Sequence, residues 1–202
     1  VPLDFWMEAR TELQTVKPIF MLAEAEEVPL HDAFEMTYGW NFHHIMNKIA
    51  KGESDATAIR DYLKNNKYPG NAYRMNFTSN HDENSWNGTE MERMGDARFA
   101  MAVLASTIEG MPLVYNGQET SLDRRLKFFE KDSIDWKKMD LVPFYTKLLK
   151  LHQTNPALWV RDGSNQAQII ETILLNILNF QTLIATKASR IRHVAGTGKL
   201  VD

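Results

Sequence analysis

The chain has 202 residues, 44% of them apolar and 10% aromatic, with 23 Lys+Arg against 26 Asp+Glu for a formal net charge of -3. That apolar content can build a packed core and excludes a disordered tail, while the balanced charge excludes the basic stripe of an electrostatic nucleic-acid binder. The absence of cysteine excludes a disulfide framework, a zinc–thiolate site and a thiol nucleophile. No basic stretch followed by an apolar one opens the sequence, so no signal peptide is read at Val1, and a start at Val points to part of a larger protein. The richest apolar run, residues 169–186, is interrupted by Glu171, Asn176, Asn179 and Gln181 and gives no membrane span.

Apolar spacing predicts an opening helix through Phe5, Trp6, Ala9, Leu13 and Val16. Four short apolar runs then read as buried strands: Pro18 to Ala23, Phe34 to Tyr38, Tyr73 to Ser79 and Pro112 to Tyr115. Between and after them, helical spacing predicts helices through Phe42, Ile45, Met46 and Ile49, over Ala56 to Leu63, over Glu90 to Ile108, and over Pro143 to Leu151. The alternation predicts four parallel βα units in residues 1–159. At roughly 40 residues per unit, a closed eight-unit barrel would need about 320 residues, so this stretch supplies about half of one.

Beyond Trp159 the character changes. The preceding residues hold 18 basic and 23 acidic side chains, a net -5, whereas residues 160–202 hold five and three, a net +2, with Phe180 as the one aromatic. The apolar run there fits a strand pair or a helix equally, as a remnant of a β-rich domain or as out-of-frame sequence.

In a parallel βα array, functional side chains gather at the carboxyl ends of the strands, where the βα loops open. The first strand ends at Glu24, the third at Asn80, His81, Asp82 and Glu83, and the fourth at Asn116, Gly117, Gln118 and Glu119. Carboxylates, an imidazole and amides on one rim suit hydrolysis of a polar, uncharged substrate such as a sugar chain, where one carboxyl protonates the leaving oxygen and another stabilises positive charge.

The runs AEAEE, FTSNHDE and GMPLVYNGQE, each at a strand end and in this order, resemble late regions of the α-amylase family of retaining glycoside hydrolases. The following SLDRRLKFFEKDSIDW looks like the segment after the last barrel strand of bacterial members. The resemblance covers residues 1 to about 159 and implies a partial (β/α)8 TIM barrel, strands five to eight, acting on α-glucosidic bonds of starch-like chains or maltooligosaccharides.

By the same resemblance, Glu24 matches the general acid/base, a role that needs a raised pKa, with Glu26 the competing assignment two residues on. Asp82 matches the carboxylate that binds sugar hydroxyls and stabilises the transition state, and His81 the imidazole on the same ring. Asn80 joins the substrate-binding group by shaping the loop beneath them, and Trp86 is a candidate stacking platform for a glucose face. Gly117 and Tyr115 read as structural, with Glu119 on the rim. The family's nucleophile is an Asp in a GxRxD pattern, and none of these 202 residues forms one. The chain alone is therefore expected not to turn over substrate. A non-catalytic carbohydrate-binding or decayed half-barrel shares the same motifs. No cofactor or metal is expected in this chain, since the family's calcium ligands belong to amino-terminal strands. Many bacterial relatives are exported, which tips the expected location outside the cytoplasm.

His43 and His44 are consecutive, diverge by about 100° on a helix, and read as ordinary helix surface rather than a metal pair. His31 and His152 read as solvated. Arg124, Arg125, Lys127, Glu130, Lys131 and Asp132 read as a wet loop of modest ion pairs. The open edges of a half-barrel, its first and fourth strands, are expected to drive self-association.

Overall fold

The computed structural model describes residues 1–65 and 68–159. The apolar run of residues 169–186 lies outside them. Four strands, β1 (Leu22–Ala23), β2 (Met36–Tyr38), β3 (Tyr73–Asn76) and β4 (Met111–Pro112), form one all-parallel sheet in sequence order. Leu22 pairs with Met36, Met36 with Tyr73, and Met75 with Met111. Among the described residues β1 and β4 are the sheet's two edges, as the half-barrel arithmetic predicts.

Helix α1 (Leu3–Val16) precedes β1, α2 (Trp40–Ala50) and α3 (Thr57–Lys64) follow β2, α4 (Glu90–Met94) and α5 (Arg98–Thr107) follow β3, and α6 (Val142–Thr154) follows β4. The main core lies among α2, α3, α4 and α5, where Phe42, Met46, Ile49, Ile59, Met94, Met101, Ala105 and Ile108 are buried together. A second cluster of Met36, Tyr38, Met75 and Phe77 belongs to the sheet, flanked by Trp40, Tyr73 and Leu113. Helix α1 has no buried residue. It is tied on by Leu3 and Trp6 against the Ala23, Ala33 and Phe34 cluster, and by Arg10, which bonds the Ala33 carbonyl and pairs with Glu35.

Three expectations need correction. Only a 3₁₀ segment, Val28–Asp32, connects β1 to β2, so the first unit lacks a crossover α-helix. The paired strands are shorter than their apolar runs because a ladder extends only as far as its neighbour does, and β2 at the centre offers three residues. The long helix over Glu90 to Ile108 is broken by Gly95 at φ +52°, a left-handed conformation that glycine adopts without a Cβ clash, followed by a 3₁₀ turn.

Gly110 sets the approach of β4 to β3. Its φ is +131°, and a Cβ there would lie 2.4 Å from the Arg74 carbonyl oxygen and 2.7 Å from Asn76 Nδ2. Gly110→Ala is expected to cost about 2 kcal/mol or more, through strain and backbone displacement, read as a lower urea midpoint.

Candidate functional site

The parallel register brings the carboxyl ends of β1 and β3 to one face, and the chemistry-bearing residues follow those ends. Glu24 comes directly after β1, and His81 and Asp82 open the helical turn that follows the loop after β3. One ligand atom from each of Glu24, His81 and Asp82 lies within 4.8 Å of the others. His81 Nε2 stands 3.6 Å from Asp82 Oδ1. Glu24 and His81 are exposed and Asp82 is half-buried, so all three can meet a solute.

Glu26, two residues on, is placed differently. Its Oε2 accepts from the Asn41 backbone N–H at 2.7 Å, in the first turn of α2. Burial raises its carboxyl above the usual range, against the lowering effect of that bond and of Arg74. Glu26 is absent from the cluster around Asp82.

Asn80 is 1% exposed and works beneath the site. Its Oδ1 accepts from the Glu83 backbone N–H at 2.8 Å, fixing the start of a single π turn, Glu83–Asn87, that presents Trp86. Trp86 is 56% exposed, with its ring 5.1 Å from Phe128 and 6.0 Å from Phe129. Phe128 in turn stacks on the His81 ring at 5.7 Å and 23°. An aromatic surface thus continues directly from the imidazole.

Sequence reasoning missed that surface. It read the loop after β4 as merely wet, although the pair Phe128–Phe129 in a charged stretch was the available signal. The charges there anchor the loop: Arg124 is bidentate to Asp132, Arg125 is bidentate to Glu92, and Asn84 bonds both the Leu126 N–H and the Arg124 carbonyl. Tyr38, at the end of β2, was also missed. Burial raises its hydroxyl pKa, and Glu24 and Asp82 raise it further, which puts this phenol in the electrostatic field of the cluster.

His31, His43 and His152 correct their sequence reading, while His44 is exposed on its helix as expected. His43 is fully buried, bonding the Phe77 carbonyl through Nδ1 at 3.0 Å and Glu83 through Nε2 at 3.0 Å. His44 stacks on Trp40. His31 bonds the Phe34 carbonyl and the Thr37 hydroxyl, and His152 bonds the Ser106 carbonyl. Helix periodicity could not foresee the partners of His43, His31 and His152 because they come from other segments of the chain, whereas Trp40 lies one turn before His44 on α2 itself. In the loop after β4, Gly117 takes φ +97°, and a Cβ there would meet Leu122 at 2.8 Å. Glu119 Oε2 accepts from the Gly117 N–H.

Two carboxylates and an imidazole at this spacing can hold several hydroxyl groups of one polyol, exchange a proton with a leaving oxygen, and oppose positive charge on a ring. One ligand atom from each of the same three groups could also hold a divalent cation.

No protein-family profile matches this chain. Solved structures do. An α-amylase from Lactobacillus plantarum is 28% identical with a TM-score of 0.67, over 78% of this chain and 42% of that one. A noncanonic maltogenic α-amylase from Thermotoga neapolitana is 25% identical with a TM-score of 0.69, over 78% and 38%. A cyclomaltodextrinase shares the fold at 23% identity and a TM-score of 0.66, over 78% and 29%. The chain therefore spans about two fifths or less of the length of these structures. Separately, a stretch of 31 residues, 15% of this chain, is 71% identical to 6% of nicotinate phosphoribosyltransferase from Bacillus subtilis (strain 168), too small a share to carry fold or activity. The described residues thus form a parallel α/β fold similar to part of the barrel of these α-amylase-family structures.

Proposed function

We propose that residues 1–159 are strands five to eight of a retaining glycosidase barrel acting on α-glucans or maltooligosaccharides. Glu24 is the acid/base, Asp82 the carboxylate that stabilises the transition state, and His81 a hydrogen-bonding partner of the same sugar. Asn80 shapes the loop beneath them and Trp86, backed by Phe128, offers a face for a pyranose ring. The observation that carries this reading is the convergence of Glu24, His81 and Asp82 within 4.8 Å from two separate strand ends. The nucleophile comes from outside these 202 residues, which form no GxRxD pattern, so the chain alone binds without turning over substrate. That same missing pattern favours the second reading, a non-catalytic glucan-binding half-barrel.

Joining residues 1–159 to the amino-terminal barrel half of the Lactobacillus plantarum α-amylase separates the two. Release of reducing sugar from maltooligosaccharides supports the catalytic reading. Maltotetraose binding without release, in a hybrid whose circular dichroism shows a folded barrel, supports the binding one. Neither binding nor release would sink both.

Residues 160–202 are not part of the barrel in this reading. Net charge and aromatic content both shift at Trp159.

The open edges bear on assembly. Leu22 of β1, Met111 of β4, and Phe5, Met7, Leu13 and Phe20 near the first edge are all exposed apolar side chains. Unpaired edge strands with apolar neighbours recruit other strands. Sedimentation of the 202-residue chain at micromolar concentration is expected to show dimers or larger species. A monodisperse monomer would count against open barrel edges.

A further inference from the structure

We propose that Arg93 is the positioning residue of the site: its buried guanidinium bonds the main chain on both sides of the segment that carries Asn80, His81, Asp82 and Trp86, and so sets where that segment stands. The inference rests on the proposed function only for what the segment does, not for how it is held.

Arg93 is 5% exposed. Its Nε–H donates to the Gly88 carbonyl at 2.9 Å, and Nη2 donates to the Thr78 carbonyl at 2.8 Å. Nη1 donates to Asn47 Oδ1 of α2 at 2.8 Å. Thr78 and Gly88 bracket the site loop and its π turn, so one rigid side chain closes the segment like a clasp. The countercharge lies inside the bracket: Glu83 Oε2 is 3.8 Å from Nη1 and 3.0 Å from His43 Nε2, while Glu83 Oε1 accepts from Asn87 at 2.9 Å.

Burying a guanidinium is expensive unless most of its donors are used. Here three donor directions meet three acceptors on two elements, a geometry available to a planar fork and not to the point charge of lysine. The unusual local chain path serves the same end. Helix α4 is five residues long, started by a capping box between Thr89 and Glu92 and stopped by Gly95. Glu92 is also held by Arg125, and Thr89 by Asp123. On the inward face, Glu90 lies one turn before Arg93 and accepts from Gln118 Nε2, which also donates to the Thr78 hydroxyl. The helix thus grips Thr78 through its carbonyl and, by way of Gln118, through its side chain.

The test is Arg93→Lys in the 202-residue chain, read by amide hydrogen exchange and by Trp86 emission, with Trp86→Phe as the subtraction. The expected result is exchange about tenfold faster or more across residues 79–88, with α2 and α5 unchanged and Trp86 emission altered. Unchanged exchange in residues 79–88 would overturn the proposal, as would equal acceleration in every element, the mark of a merely structural arginine. Should the variant not fold, the wild-type chain decides: the Arg93 Nε–H is expected to exchange roughly 100-fold more slowly than that of free arginine, and a similar rate would overturn the clasp. These readouts use no glucan, so they stand or fall apart from the proposed activity.

Discussion

Glu24→Gln, made in the hybrid barrel described above, is expected to lower turnover of maltooligosaccharides about 10²–10⁴-fold while leaving binding nearly intact. The amide keeps the shape and the hydrogen-bonding reach of the carboxyl but cannot deliver a proton. Glu24 is the member of the AEAEE run that meets His81 and Asp82. Glu26→Gln makes the control, because Glu26 spends its Oε2 on the Asn41 N–H at the start of α2. A glutamine still offers an oxygen there, so the expected effect on rate is within about tenfold, with at most a small loss of stability. The reverse pattern, with Glu26 essential and Glu24 dispensable, would move the acid by two residues and refute the proposed roles.

Glu83→Gln is expected to destabilise the chain by about 3 kcal/mol at neutral pH, because it removes the carboxylate charge shared by the buried Arg93 and His43. Burial by itself would raise the Glu83 carboxyl, but the bond and charge of His43, the Asn87 amide and Arg93 outweigh it and hold the group at about 2, below its ordinary 4.5. A carboxyl depressed in the folded state stabilises fully above the unfolded value and loses that contribution as pH falls. The wild type should therefore lose about 3 kcal/mol between roughly pH 4.5 and pH 2, measured as urea stability at steps of pH. Glu92 and Asp132 are also depressed, but they sit on the exposed loop contacts with Arg125 and Arg124. Their share is screened by salt, so the part that survives roughly 0.5 M NaCl is that of buried Glu83 with a smaller one from Glu35, which Arg10 depresses. An acid limb of the same size in Glu83→Gln would show that this pair does not cause it.

The buried contacts of Glu83 with His43 and Arg93 explain why part of this region was illegible in the sequence. Glu24, Asn80, His81 and Asp82 could be named because they follow the switch from apolar to polar residues that marks a strand end, and the resemblance to the α-amylase family supplied their roles and brought in Trp86. His43 could not be, since a histidine on an amphipathic helix reads as surface until a strand end, here the Phe77 carbonyl, and a carboxyl, here Glu83, arrive from elsewhere in the chain. Phe128 was hidden for a similar reason: its loop is polar in sequence, and the polar groups hold the loop in place while the ring reaches His81. The long helix over Glu90 to Ile108 failed at Gly95, where a single positive φ outweighed continuous helical spacing.

The sequence by itself determined the class of the fold, the order of the strands and the strand ends at which polar side chains collect. Those features depend on local periodicity and on the rule that consecutive parallel strands open their loops on one face. Only the tertiary structure decided which of three nearby glutamates meets Asp82, that Arg93 bonds both sides of the site segment, and that β1 passes to β2 without a crossover α-helix. Each of these is settled by hydrogen bonds or charge contacts between residues far apart in the chain, whose energies depend on distances of a few ångströms that no spacing in the sequence records.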